Sequence, residues 1–330
     1  MLRLSERRLT PAAEEIVAQA GVLDSFGGGS QRVLRKMAGL RVSQSTVQRV
    51  TEAAGERLAK GLEAAQPLGP KAAWPWQRDA MGRRCAYVSL DATGVRQQGP
   101  GGGRAEGRMS YVAMVYNPNS DFDDRRPPSR QVRYLSGFYD LKTLGRQLHR
   151  EAVQVGWIEA EQQIAISDGG NGLEEFSRTY FPKAECILDF WHAKEHLVEL
   201  AQALYPHDQP TREAWIGEAC HRLKHEGGAA ILAWLEGLDL ASTSDDVREV
   251  HRRQVQYFRN HQHRMDYPRY VRNGWQIGSG PVESACKTVV GNRLKGGGMR
   301  WGEAGANTVC RLRALYLSDP TCWDTFWAPC

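Results

Sequence analysis

The sequence has no cysteine pairs of the kind that build a metal ribbon. Its seven cysteines are Cys85, Cys186, Cys220, Cys286, Cys310, Cys322 and Cys330, an odd number with no Cys-x-x-Cys spacing. Neither a zinc ribbon nor a disulfide scaffold is indicated. No run of about 18 apolar residues occurs, so no membrane-spanning helix and no membrane partner are expected. No long apolar core follows the charged N-terminal residues, so no signal peptide is expected either. A cytoplasmic protein with reduced thiols fits these absences. The chain also lacks the composition of a disordered protein. Its charged fraction is 25% and its hydrophobic fraction 41%, enough for a packed core. At 330 residues there is room for more than one module.

The net charge of +5 is only mildly basic, but it is unevenly spread. Between His251 and Arg300 stand ten lysines and arginines against two acids, Asp266 and Glu283, a local balance of +8. The rest of the chain is therefore slightly acidic. A solvated helix face and a phosphate-contacting surface are both open readings of such a block.

Along the chain, residues 10–60 read as helical. Thr10-Pro11 with Glu14 and Glu15 forms a helix start. Gly27-Gly28-Gly29 is expected to break the helix. A second helix follows from Ser30 to Gly39, and Ser43 to Thr46 caps a third that carries Val47, Val50 and Ala54. This order resembles a helix-turn-helix, and an ordinary helical hairpin is the alternative. Gln66 to Asp79, with three prolines and two tryptophans, reads as a linker. Strands are expected over Cys85–Leu90, ending at Asp91, then Ser110–Tyr116, Gln131–Tyr139, Gln163–Ser167, ending at Asp168, and Ala184–Leu188. Helices are expected over Leu141–Val155, Gly172–Tyr180 and His192–Leu204. Three strands followed by alternating helix and strand predict an α/β fold, a mixed sheet flanked by helices, with the element order of an RNase H-like core. Thr211 to Asn260 carries helical patterns only and is expected to be an inserted helical domain. The expected segments are 1–65, an N-terminal helical region; 66–82, the linker; 83–204, the first part of the core; 205–272, the insertion; and 273–330, the C-terminal part of the core with a helix bearing Glu283.

Asp91 and Asp168 each follow an apolar strand and precede small residues. In an RNase H-like sheet the first and fourth strands are neighbours, so the two carboxylates would converge. Both can stay ionised if a divalent cation neutralises them, and Mg²⁺ favours such carboxylates. The alternative for each is a turn former that caps its own loop. Glu283, in the first turn of a helix, is a third candidate ligand or simply a partner of the helix dipole. Lys287, Arg293 and Lys295 nearby suit a surface facing DNA phosphates.

The runs Leu90-Asp91-Ala-Thr-Gly-Val95, Ser167-Asp168-Gly-Gly-Asn-Gly172, Ile187-Leu-Asp189-Phe-Trp-His192-Ala-Lys-Glu-His196, Ser279-Gly-Pro-Val-Glu283-Ser-Ala-Cys-Lys287 and Gly291-Asn-Arg-Leu-Lys295-Gly-Gly-Gly-Met-Arg-Trp301 occur in this order. Together they resemble the signatures of the ISKra-type insertion-sequence transposases, over most of the chain. The resemblance implies a DDE transposase of the wider group that includes Mutator-like elements. It implies metal-dependent cleavage and strand transfer at element ends, with Asp91, Asp168 and Glu283 as catalytic metal ligands for two Mg²⁺ or Mn²⁺ ions. Asp189-Phe-Trp-His192 matches the group's Cys-or-Asp, two residues, His motif. This adds His192 as a residue acting on the scissile strand or the attacking water, with Asp189 behind it, and a packed histidine is the alternative for His192. The group also places a helical insertion between the second Asp and the Glu, here 115 residues apart.

Lys287, Arg293, Lys295 and Arg300 are the expected phosphate contacts. Trp191 and Trp275 could stack on a flipped base, although core packing is the favoured role for each. The implied partners are double-stranded DNA, as element ends and target, and a second copy in a synaptic homodimer. The implied location is the nucleoid. Family members often carry a longer N-terminal region with cysteine pairs. Since this chain has no such pair, the resemblance leaves two expectations, a shortened copy or DNA recognition by residues 10–60. The alternative function is a truncated or domesticated transposase that binds DNA without cutting. A glycosidase would also use two carboxylates, but it leaves the basic block unexplained.

Overall fold

The computed structural model describes residues 9–118, 131–170 and 172–328. Asn171, within the expected Asp168 loop, lies outside them. The chain forms two compact units, each built from separate stretches. The first comprises Met1–Gln77, Val88–Ala160 and Val282–Cys330, and the second Arg78–Tyr87 and Glu161–Pro281. The strands are β1 (Cys85–Val95), β2 (Arg108–Tyr116), β3 (Val132–Gly137), β4 (Gln162–Ser167) and β5 (Glu185–Leu188). They form one mixed sheet in the order β3-β2-β1-β4-β5. β2 and β3 pair antiparallel, from Tyr111 opposite Gly137 to Tyr116 opposite Val132. β4 and β5 pair parallel, from Ile164 opposite Glu185 to Ser167 opposite Leu188. The α/β class with a mixed sheet and flanking helices is therefore as expected, and the first and fourth strands are neighbours in the order.

In the first unit, α1 (Pro11–Leu23), α2 (Phe26–Gly28) and α3 (Gln44–Glu63) form the N-terminal helices. Thr10 caps α1 by accepting from Ala13 N–H at 3.3 Å, and Ser43 caps α3 by accepting from Thr46 N–H at 3.2 Å, as the sequence indicated. The triple glycine does not break a helix. Ser25 accepts from Gly28 N–H at 3.0 Å and starts α2, which runs on as a π-helical turn over Gly29–Met37. Glycine is needed there for proximity, because a Cβ on Gly29 would stand 2.7 Å from the Ala20 carbonyl. The proline-rich segment expected as a linker packs down instead. Leu68, Trp74 and Trp76 are buried, and Leu68 N–H donates to Glu151 at 2.9 Å. Glu151 in turn pairs with the buried Arg133 of β3 at 3.0 Å. Glu151 lies on α4 (Leu141–Gln154), which buries Leu144 and Leu148. Later in the chain come α11 (Gly280–Ala285), whose first two residues belong to the second unit, then a π-helical turn (Cys286–Gly291) and α12 (Asn292–Leu294). The unit closes with α13 (Glu303–Leu317) and α14 (Pro320–Trp327). α13 packs on β3 and α3 through buried Val309, Leu312 and Leu315.

In the second unit, α5 (Leu173–Tyr180) and α6 (Phe190–Leu204) follow β4 and β5. Residues 205–272, expected to be helical, contain α7 (Gln209–Glu226), α8 (Gly228–Glu236), α9 (Asp245–His261) and α10 (Tyr267–Arg272), with no strand among the described residues. Leu223, Ile231, Leu235 and Phe258 on these helices, and Leu197 on α6, are fully buried.

Candidate active site

β1 is buried through Leu90 and opens to solvent at Asp91. The strand does not end there but runs on to Val95, because Thr93 and Val95 suit extended backbone. Asp91 therefore lies within the strand. Its Oδ1 accepts from Ala92 N–H at 2.6 Å. Its Oδ2 accepts from the Cys286 thiol at 3.4 Å. Burial, the Asp91 charge and hydrogen bond, and the Glu283 charge all push the Cys286 thiol up, while Lys295 pulls it down. Asp91 thus contacts, within the first unit, a thiol three residues after Glu283, which is 192 residues away in sequence. Glu283 is exposed in the first turn of α11. Lys295 donates to the Thr93 hydroxyl. Cys286 was not anticipated as part of this arrangement, although it lies one helical turn after Glu283 and that spacing was available in the sequence.

In the second unit Asp168 follows the last residue of β4 and is partly exposed. Its Oδ1 accepts from Gly170 N–H at 2.8 Å, so one oxygen does act as a turn former. Its backbone carbonyl faces Arg264, whose Nη2 also donates to Ser167 Oγ at 2.8 Å and to the Ile187 carbonyl at 3.4 Å. Arg264 is only 1% exposed and binds the ends of β4 and β5 together. Gly169 lies against Tyr257 of α9, and a Cβ there would stand 2.8 Å from the Tyr257 ring. The Tyr257 hydroxyl is buried without a hydrogen-bond partner among the described residues. Burial, together with the charges of Asp168 and Asp189, pushes that hydroxyl up, while Arg264 opposes them. Neither Tyr257 nor Arg264 carried a local signal, because α9 and the turn that follows it are remote in sequence from β4.

Asp189 is 2% exposed. It caps α6, accepting from Trp191 N–H at 3.0 Å and His192 N–H at 3.3 Å. It also accepts from the Ser279 backbone N–H at 3.1 Å and from its hydroxyl at 2.7 Å. It thereby ties the start of α6 to the residue that precedes α11. His192 is partly exposed, with Nδ1 3.4 Å from Glu195. Its ring lies edge-on to His196, and His196 stacks on Tyr257 at 3.6 Å. So His192 is neither a fully packed core histidine nor fully solvated. Trp191 departs from the core role favoured for it. It is 53% exposed, with Lys194 Nζ 5.0 Å from its ring. Trp275 is buried and donates to Asp79 at 3.1 Å, as a packing residue does.

The basic residues divide. Lys287, Lys295 and Arg300 are exposed. Arg293, also expected at phosphates, is 2% exposed. Its Nε donates to the Gly21 carbonyl at 2.8 Å, and its guanidinium lies over the rings of Phe26 and Trp301 at 4.6 and 4.9 Å. Burial and the like charge of Arg313 lower it to about 10, so it remains a cation at neutral pH.

Carboxylate oxygens are the donors that Mg²⁺ and Mn²⁺ favour, so Asp91, Asp168 and Glu283 fit such ions in kind. Among the described residues no three His, Cys, Asp or Glu stand close enough together to hold an ion. No protein-family model and no curated protein matches this chain.

Proposed function

We propose that the chain is a DDE transposase with an RNase H-like core, cutting and joining DNA at insertion-sequence ends. The observation that carries this reading is the Asp91 carboxylate accepting from the thiol of Cys286, one helical turn after Glu283, with Lys295 donating to Thr93 two residues further along β1. Asp91 is 192 residues before Glu283, and the fold brings its carboxylate to the helical segment that carries Glu283 and leads to Lys295. Acids that bind metal beside cations that bind phosphate have a shared use. Asp168 is taken as the third acid on the strength of the motif resemblance. Bound Mg²⁺ or Mn²⁺ would neutralise charge on the attacking and leaving oxygens of the phosphodiester. The three carboxylates would hold those ions. Lys287, Lys295 and Arg300 bind strand phosphates. His192 and Trp191 face the strand being cut, and Asp189 keeps the start of α6 in place. Double-stranded DNA is the substrate, and two copies act together at paired ends.

The test is incubation of the protein with a duplex carrying the element's terminal repeat, with and without Mg²⁺. Nicking and strand transfer that need the metal and vanish in Asp91→Ala, Asp168→Ala and Glu283→Ala are the expected result. Undiminished cleavage in any of the three would overturn the assignment. Salt-dependent binding with no cleavage under either metal would favour a DNA-binding protein without chemistry.

A further inference from the structure

The first unit contains a cavity of about 600 Å³ with no assigned role. One wall is α3, whose Gln44, Gln48 and Glu52 project from successive turns. A second wall is the segment Met299–Gly302, and Phe26 and Gln98 also line the cavity. The second wall is firmly held. Trp301 N–H donates to the Arg96 carbonyl at 3.1 Å, Gln98 N–H to the Trp301 carbonyl at 2.8 Å, and the Trp301 indole to the Leu294 carbonyl at 3.1 Å.

Arg293 also lines this cavity. Its Nη2 is buried without a hydrogen-bond partner among the described residues. The acid that influences it, Asp24, is itself engaged by Arg32 at 2.6 Å. A buried cation with a vacant donor is costly unless an anion completes it. Some of the cost is met by the C-terminal carbonyls of α1. Arg293 takes Gly21 and Arg313 takes Val22 at 2.5 Å, and the negative end of a helix favours cations. That accounts for Nε but leaves Nη2 unused. The exposed Arg300 adds a second cation beside the cavity. A glutamine amide can match both a donor and an acceptor on a base edge. Gln48 Nε2 donates to Glu52 at 3.0 Å, so Gln48 offers its oxygen, and Gln44 offers the amide. The volume suits one nucleotide.

We propose that this cavity holds a single nucleotide of a DNA strand, with its phosphate at Arg293 and Arg300 and its base edge at Gln44 and Gln48. The inference rests on the reading that the chain handles DNA, and it is independent of the catalytic acids. The site differs from a recognition helix laid in a major groove, because it is concave and takes one residue of a strand.

The experiment is binding of a fluorescent single-stranded oligodeoxynucleotide in EDTA, so that no cleavage enters the measurement. Gly302→Leu fills the cavity from a position whose Cβ meets nothing within 4 Å and whose φ is −66°. It should weaken binding at least tenfold while thermal unfolding is unchanged. Gln44→Ala with Gln48→Ala should weaken it several-fold. Arg293→Lys should do so as well, and Gly302→Leu keeps the test decisive if that variant does not fold. Deoxyadenosine monophosphate should compete better than inorganic phosphate. Unchanged binding in Gly302→Leu overturns the proposal. Equal competition by inorganic phosphate shows an anion site only and overturns the nucleotide. Mononucleotide binding without oligonucleotide binding overturns the strand as its source. Asp91→Ala, which abolishes cleavage on the reading above, should bind as well as the parent. Loss of chemistry and loss of this site are therefore told apart.

Discussion

Asp189 shows how a carboxylate in a catalytic motif can work without touching metal. An ionised carboxylate has about four acceptor positions, and Asp189 already receives four hydrogen bonds from Trp191, His192 and Ser279. It has little capacity left for an ion, so its part is to position α6 and the approach to α11. Replacing it with alanine removes an N-cap and the bond from the Ser279 hydroxyl. Asp189→Ala should therefore cost at least about 2 kcal/mol, since a cap alone is worth about 1 and a charge-assisted bond about 1.5 to 3. Ser279→Ala should cost less, because the backbone N–H of residue 279 keeps its bond. Urea unfolding of both variants checks the order, and equal stability of Asp189→Ala and the parent would remove the positioning role. Asp168 is the contrasting case. Only one of its oxygens is given a partner by the loop, through Gly170, which leaves capacity for a ligand.

At the scale of elements, two close approaches set the geometry. A Cβ on Gly21 of α1 would meet the Thr51 hydroxyl of α3, so the two helices touch backbone to side chain. Gly21→Ala should destabilise the protein by about 1 to 3 kcal/mol through overpacking. Thr51→Ala in the same chain should recover part of the loss. A urea series on the single and double variants measures it, and additive losses would show that the contact is not the cause. The α6–α9 packing has a pH dependence. Burial is the first cause that lowers both His196 and His261 below the ordinary 6.5. In the folded state they resist protonation that the unfolded chain accepts. Their contribution to stability is therefore intact above about pH 6.5 and is lost as pH falls through the lowered values. Amide exchange of α6 and α9 should speed up between pH 7.5 and 5.5 at matched intrinsic rates, while exchange in α13 should change less.

Over the whole chain, the basic block between His251 and Arg300 is not one surface. Arg264 and Arg293 are buried, and Arg269 pairs with Glu185 and Asp266 at 2.6 and 2.8 Å. Arg259 pairs with Glu236. Lys287, Lys295 and Arg300 are the exposed cations that follow Glu283 within the block. Each phosphate contact contributes about 0.9 to the slope of log affinity against log salt. Lys287→Ala, Lys295→Ala and Arg300→Ala should each reduce the slope for duplex binding by about that amount. Arg259→Ala should leave it unchanged. A salt titration decides, and a slope insensitive to all three would place the phosphate surface elsewhere.

Much of the local architecture could be read directly from the sequence, for physical reasons. The apolar runs before Ser167 and Leu188 specify buried strands, the Thr10 and Ser43 caps specify helix starts, and the period of residues 211–260 specifies helices. Such features depend on residues within a few positions of one another. The motifs also singled out Asp91, Asp168, Asp189 and Glu283 as acids at element ends or in first turns. What residues far apart in sequence do together was not legible. The glycines at 27–29 look like a helix break until Ala20 is seen against Gly29. Asp91 looks like a strand end until β1 continues past it, and α14 had no expectation at all. Arg293 reads as a surface cation from its neighbours, yet it lies beneath Phe26 and Trp301 with its Nε on Gly21. A charge in the sequence states only what a side chain can donate. Whether it meets water, a carbonyl or an empty cavity is decided by segments hundreds of residues away, which only the folded chain brings to it.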